Sequence, residues 1–231
     1  MTSNRTLFTL LALIAAVFAV FAQWPGLDLW VTGQFYDAGF AWDSAAPISQ
    51  TLRGTLWDLS ILMPVVALAF LLVGLVWRPV LLPQRIWGFV LALFLIGPGL
   101  IVNGILKAHW GRARPFMVTE FGGTAQFTPP WQITDQCARN CSFVSGEGAG
   151  SMAMAISALL ILLVLRHRLS ARAYRLGQGA TLALLAFVGF QRVASGGHFL
   201  SDVLLSWLLT GVIALILARL MLRPSALAAR P

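Results

Sequence analysis

Three short stretches hold the residues that could do chemistry. "KAHWGRARP" (Lys107–Pro115) packs Lys107, Arg112 and Arg114 around His109. An ammonium and a planar guanidinium fork suit the oxygens of a phosphate. "VSGEGAG" (Val144–Gly150) sets Ser145, Gly146 and Glu147 ahead of an apolar run. Free N–H groups at a helix start, flanked by small residues, can receive an anion, and Ser145 adds a hydroxyl. "QRVASGGHFLSDV" (Gln191–Val203) places Arg192, His198 and Asp202 in order. His198 and Asp202 are four apart and share a helix face. A carboxylate there can fix one imidazole tautomer and leave the other nitrogen to attack. Each stretch alone also has a bland explanation: solvated loop cations, a plain Ser N-cap with small packing residues, and an interfacial His–Asp pair.

The elements that position these stretches are membrane helices. The 231-residue chain is 58% hydrophobic and 10% charged, against about 25% charged in soluble domains. A run of about 20 apolar residues is what a bilayer-spanning helix needs. Six runs qualify: Thr6–Ala22, Leu59–Trp77, Ile86–Leu106, Ala149–Leu165, Leu176–Phe190 and Phe199–Ala218, the fifth being the shortest. Backbone groups in lipid must be satisfied within the segment, so the runs are helices. The chain is thus expected to be all-α, one membrane-embedded domain over residues 1–231 with its chemistry between residues 107 and 202.

Charge sets the expected orientation. With the N-terminus cytoplasmic, the inner side carries ten arginines, including Arg5, Arg78, Arg85, Arg166, Arg223 and Arg230, and no acid. The outer side takes all eight acidic residues and six basic ones. An inner excess of Arg supports this topology, with both termini cytoplasmic. The net charge of +8 is then a topology and lipid-headgroup signal rather than a nucleic-acid one. Arg5 followed by Leu7–Ala22 also has the form of a signal peptide with a poor cleavage site, but the apolar run is long for one.

Two outer loops are long. Gln23–Asp58 is rich in aromatics, among them Trp24, Trp30, Tyr36, Phe40, Trp42 and Trp57. They suit an interfacial belt or a half-inserted segment that admits an amphiphile. Lys107–Ser145 contains Pro115, Gly122, Gly123, Pro129 and Pro130 and reads as irregular. Its Cys137 and Cys141 can form a disulfide in an oxidising compartment. Two cysteines without a His pair do not make a zinc site.

Taken together, Lys107 with Arg114-Pro115, Ser145-Gly146, and Arg192 with His198 and Asp202 resemble the type-2 phosphatidic acid phosphatase superfamily. Its motifs are KxxxxxxRP, PSGH and SRxxxxxHxxxD. The resemblance implies a phosphatase that needs no metal or other cofactor. Lys107, Arg114 and Arg192 would hold the phosphate, with Ser145 and the Gly146 amide completing the cradle. His198 would be the nucleophile, forming a phosphohistidine, and Asp202 would orient it.

Three positions depart from the pattern. Gln191 stands for the Ser of the third motif, Val144 for the Pro of the second, and Glu147 stands where the second motif has His, the general acid. Three readings are open: Glu147 is the acid; His109 supplies the proton while Glu147 positions a cation or water; or the site binds without turnover. The implied substrate is a lipid phosphate or diphosphate on the periplasmic face of a bacterial inner membrane. Lipid A is favoured over undecaprenyl diphosphate, phosphatidylglycerophosphate and phosphatidic acid. A lipid-to-lipid phosphotransferase and a non-catalytic lipid-phosphate binder are the alternatives. The sequence does not set the oligomeric state.

Overall fold

The computed structural model describes residues 4–40, 47–76 and 81–222. Trp42, Asp43, Trp77, Arg78, Arg223 and Arg230 lie outside them. The described residues are all-helical, with two isolated β-bridges and no strand. Helix α1 spans Asn4–Gln23 and a short α2 spans Gly26–Gly33. Helix α3 runs Pro47–Val76, and α4 runs Gln84–His109 with a π-helical stretch at Leu95–Leu106. Helices α5 (Gly146–Val164), α6 (Ala171–Ala194) and α7 (Leu200–Met221) complete the bundle.

Among the described residues, five helices are long and apolar enough to cross a membrane: α1, α3, α4, α5 and α7. The expected Leu176–Phe190 span lies within α6, which has the length, 24 residues. Gly177, Gln178, Gly179 and Thr181 make it more polar than the others.

The second span starts earlier than hydropathy suggests. The helix α3 begins at Pro47 instead of Leu59. Gln50, Thr51, Arg53, Thr55 and Asp58 hide its first turns from an apolarity count. Thr51 and Thr55 bond their hydroxyls back to Pro47 and Thr51 carbonyls at 2.7 and 2.9 Å, so these polar residues do not interrupt the helix. Those extra turns carry Arg53 to the same end of the bundle as Lys107.

Membrane helices gain little from apolar burial and rely on close packing. One face of α5 is accordingly small: Gly146, Gly148, Ala149, Gly150, Ser151, Ala153, Ala155 and Ser157 are buried. At Gly148 an added methyl would collide with Ser206 Oγ of α7. Farther along, Ile86, Val90 and Leu93 of α4 pack with Ala153 and with Ile213 and Leu217 of α7. Phe70 of α3 stacks on Trp87 of α4, centroids 4.5 Å apart.

The aromatic first loop divides between two tasks. Trp24 and Trp30 are exposed, as residues of an interfacial belt are. Tyr36 and Phe40 instead pack against Phe121, with centroids 5.2 and 5.5 Å away. The ring of Phe40 lies against Gly196, where φ is +67° and no side chain would fit. Thus the first outer segment braces the turn that precedes His198.

Candidate active site

The residues singled out by type and spacing come from the ends of four helices and two loops. Lys107 closes α4, Gly146 and Glu147 open α5, Arg192 ends α6, and Asp202 lies in the first turn of α7. Arg114 and Ser145 belong to the segment between α4 and α5, and His198 to the α6–α7 turn. Ser145 is the N-cap of α5: its Oγ accepts the Gly148 N–H at 3.0 Å. The Ser145 N–H donates to the Asp202 carbonyl at 3.2 Å, tying the start of α5 to α7. Both cap and close approach depend on small residues, since a Cβ on Gly146 would stand 2.8 Å from Asn103 Oδ1.

His198 is enclosed, with 1% of its surface exposed. Its Nδ1 lies 2.8 Å from the Ser142 carbonyl oxygen and 4.0 Å from Asp202 Oδ2. A carbonyl only accepts, so Nδ1 carries the hydrogen and Nε2 keeps its lone pair. Burial, then the charges of Lys107, Arg114 and Arg192, holds the imidazole well below its usual pKa. The ring is therefore neutral at neutral pH, as a nucleophile must be.

Asp202 is held on every side. It accepts from Arg112 Nη1 at 2.6 Å, from the Phe199 N–H at 3.1 Å and from the Ser142 hydroxyl. Arg112 is itself fully buried. Its Nε donates to the Thr128 carbonyl at 2.8 Å and its Nη2 to Asp28 Oδ2 at 2.9 Å. The guanidinium lies 4.4 Å over the Phe199 ring, a cation–π contact. From α2, Asp28 also accepts the Ser201 N–H at 2.9 Å and the Ser201 hydroxyl. Asp28 and Arg112 were not legible as site residues: one sat in an aromatic loop, the other among cations assigned to phosphate. The one available signal was an acid and an Arg each flanked by apolar residues.

Lys107, Arg114 and Arg53 line a polar cavity of about 340 Å³, together with Gly146, Glu147 and Asn140. Ser145, Arg192 and His198 are buried and do not line it. Arg114 donates from Nε to the Asn140 carbonyl at 2.9 Å and from Nη2 to Asn140 Oδ1 at 2.8 Å. Asn140 sits inside the Cys137–Cys141 disulfide that the structure contains. Arg192 bonds Gln191 Oε1 at 2.7 Å, Ser195 Oγ at 3.1 Å and Glu147 Oε1 at 3.1 Å.

Glu147 is bound by two guanidinium groups. Besides Arg192, Arg53 grips it with Nη2 to Oε1 at 2.7 Å and Nε to Oε2 at 3.0 Å. His109 is exposed and does not line the cavity. Lys107 is buried, and two residues on, a helix presents roughly its opposite face.

Apolar helices that span a membrane, with a neutral enclosed imidazole and clustered cations at one end, define an integral membrane phosphatase. The comparisons agree: residues 85–225 match the PAP2 superfamily, and the chain belongs to that family. It is 35% identical over 193 residues to a lipid A 4'-phosphatase of Francisella tularensis subsp. novicida (strain U112), covering 78% of this chain and 79% of that one. It is 38% identical over 118 residues to a lipid A 4'-phosphatase of Rhizobium leguminosarum, covering 51% of this chain and 47% of that one. The fold resembles the crystal structure of a transmembrane PAP2 type phosphatidylglycerolphosphate phosphatase from Bacillus subtilis, TM-score 0.57 at 17% identity, covering 93% of this chain and 94% of that one.

Proposed function

We propose that this phosphatase hydrolyses a lipid phosphate monoester, lipid A being the favoured substrate, through a phosphohistidine on His198. The observation that carries the mechanism is the imidazole itself. It is enclosed, its Nδ1–H is committed to the Ser142 carbonyl, and burial, reinforced by nearby cations that suit a phosphate, depresses its pKa. The preference for lipid A rests on the 35% identity to the Francisella lipid A 4'-phosphatase across most of both chains.

In this account Lys107, Arg114 and Arg192 bind the phosphoryl oxygens, with Ser145 and the Gly146 amide beside them. Phosphoryl transfer is largely positioning and charge stabilisation, which cations and helix-end amides supply. The Nε2 lone pair attacks phosphorus. The bond from phosphorus to the lipid oxygen breaks, and that oxygen leaves with the electron pair. It takes a proton from water at the cavity mouth, because a Glu147 bonded to two guanidiniums has none to give. The positive charge on the phosphorylated ring is balanced by Asp202, 4.0 Å from Nδ1. The hydroxide left by that proton transfer then attacks phosphorus, the P–N bond breaks, and its electron pair returns to Nε2. The products are the lipid alcohol and hydrogen phosphate.

The membrane placement belongs to the same proposal. Helices α5 and α7 both start at the site and run away from it, so α6 must run back to bring Arg192 beside Glu147. At 1.5 Å per residue its 24 residues cover about 36 Å, more than the hydrocarbon core of about 30 Å. That supports six crossings. The arginines at the opposite end of the bundle support a periplasmic site in a bacterial inner membrane, with both termini cytoplasmic.

The test is release of inorganic phosphate by the purified protein in detergent–lipid micelles. Lipid A, undecaprenyl diphosphate, phosphatidylglycerophosphate and phosphatidic acid are offered separately. Release from lipid A at the highest kcat/KM supports the proposal, and preference for another lipid corrects the substrate. Radiolabel moved to a second lipid without release would replace hydrolysis by transfer. Neither release nor transfer would overturn the enzymatic account.

A further inference from the structure

The motif residues leave one wall of the cavity unexplained. That wall is α3, which presents Gln50, Arg53, Gly54 and Trp57. We propose that Arg53 is a fourth phosphate-contacting cation and that Glu147 is the residue that positions it. The inference rests on the phosphatase account above for the identity of the ligand.

Three observations carry it. First, Arg53 lines the same cavity as Lys107 and Arg114; burial is the main reason the Arg114 pKa is lowered, and the Arg53 charge adds to it. Cations gathered around one space repel one another unless an anion joins them. Second, Glu147 grips Arg53 along its Nε–Nη2 edge and Gln50 Oε1 accepts from Nη1 at 3.4 Å, which fixes the guanidinium plane at the cavity wall. Third, the side chain is 39% exposed while Arg192 is 4% exposed. A cation placed only to pack α3 against α5 would have no reason to face the cavity.

Glu147 then has a defined task. It bridges Arg53 of α3 and Arg192 of α6, two helices that meet at the site. One carboxylate therefore sets the spacing of two cations on either side of α5's first turn. A histidine at this position could not do so, because it has no acceptor pair to clasp two guanidiniums. Glu147 and Arg53 are coupled: the acid in the second motif is useful because an arginine sits opposite it.

The experiment measures kcat and KM for lipid A phosphate release with R53A, R53K, E147Q, E147D and the R53A/E147Q double variant. In parallel, inorganic phosphate binding to the same detergent-solubilised proteins is read by calorimetry. R53A should raise KM and weaken phosphate binding by about 10- to 100-fold, the size of one charge-assisted hydrogen bond. The kcat should fall less than KM rises. R53K should recover part of the loss, since it restores charge without the fork. E147Q should act in the same direction, and the double variant should lose less than the product of the single losses.

A KM and phosphate affinity within twofold of wild type for R53A would overturn the assignment. So would an E147Q variant that loses kcat about 100-fold with unchanged KM and phosphate binding, which marks a proton donor. The two proposals separate cleanly. A wild-type protein that binds phosphate through Arg53 but releases none from any lipid keeps Arg53 and overturns the enzymatic account. A wild-type protein that turns over lipid A with Arg53 irrelevant does the reverse.

Discussion

His198 Nδ1 stands 2.8 Å from the Ser142 carbonyl oxygen but 4.0 Å from Asp202 Oδ2. The imidazole is therefore oriented in the first place by main chain, and Asp202 acts one step removed. Asp202 fixes Ser142 through its hydroxyl and Arg112 through its guanidinium, and so holds the segment that holds the ring. It also supplies the negative charge nearest the imidazole's protonated side.

Asp202→Asn should accordingly lower kcat by about 100-fold, near the lower end of what a positioned acid–base group contributes. A larger loss is expected only where the tautomer itself is set by the carboxylate. Here the Ser142 carbonyl keeps Nδ1 protonated in the variant. Steady-state kinetics on lipid A phosphate release measures the effect, and a loss of about 10,000-fold would mean that Asp202 contacts the ring directly during turnover.

Arg112→Met should cost more stability than any cation substitution at the cavity. It leaves Asp28 and Asp202 buried without their shared partner. Removing one side of a buried pair typically costs about 3–5 kcal/mol. Arg112→Lys should recover little, because one ammonium cannot serve Thr128, Asp28, Ser201 and Asp202 as the fork does. Thermal unfolding of the solubilised protein at a fixed scan rate reads this. A midpoint within a degree or two of wild type would remove the network from the account.

The pH behaviour of His198 follows from its depressed pKa. The folded value lies below the unfolded one of about 6.5. Between the two, the unfolded chain binds more protons than the folded chain, so stability contributed by this residue falls as pH drops through that window. The ring stays neutral and nucleophilic at pH 6.5. A ¹⁵N spectrum of histidine-labelled protein, with His198→Gln as the subtraction control, should show a neutral tautomer with its proton on Nδ1 at pH 6. A His198 signal that is half protonated near pH 6.5 would contradict the enclosed, cation-flanked environment.

Reducing the Cys137–Cys141 bond should loosen the clamp on Arg114. Closing a loop of this size, sequence separation 4, contributes about 2 kcal/mol in the chain-entropy model. Asn140, which bonds Arg114 twice, lies within it. Reductant, or Cys137→Ser with Cys141→Ser, should raise KM by up to about tenfold, roughly one charge-assisted hydrogen bond. Unchanged KM in both treatments would leave Asn140 positioned without the bond.

Much of this site was legible because phosphate chemistry needs few residue types at fixed spacings. Lys107, Arg114, Arg192, His198 and Asp202 stand out from apolar surroundings, and their common end of the bundle follows from alternating spans. What escaped the sequence has physical causes. The start of α3 is hidden because amphipathic polar turns do not look like a span, so Arg53 read as a loop charge. Asp28 and Arg112 escaped because their partnership joins positions 84 residues apart, and nothing local announces a buried pair. Glu147 reads as a candidate acid because it fills the general-acid position of the second motif, whereas its neighbours in space are Arg53 and Arg192. The α4 π-helical stretch could be anticipated only as a disturbance at Pro98, which lacks an N–H. There Asn103 Nδ2 donates to the Pro98 carbonyl at 2.7 Å, and Asn103 also lines the cavity.

The phosphohistidine is the central claim, and alkaline-quenched labelling tests it most directly. Wild-type protein is mixed with ³²P-labelled lipid A, quenched within milliseconds in denaturant at alkaline pH, where phosphohistidine survives, and digested. The account predicts label on the peptide containing His198, lost on mild acid treatment, and absent from His198→Gln, which should also release no phosphate. Label that persists on the His198→Gln protein, or turnover by that variant, would contradict it.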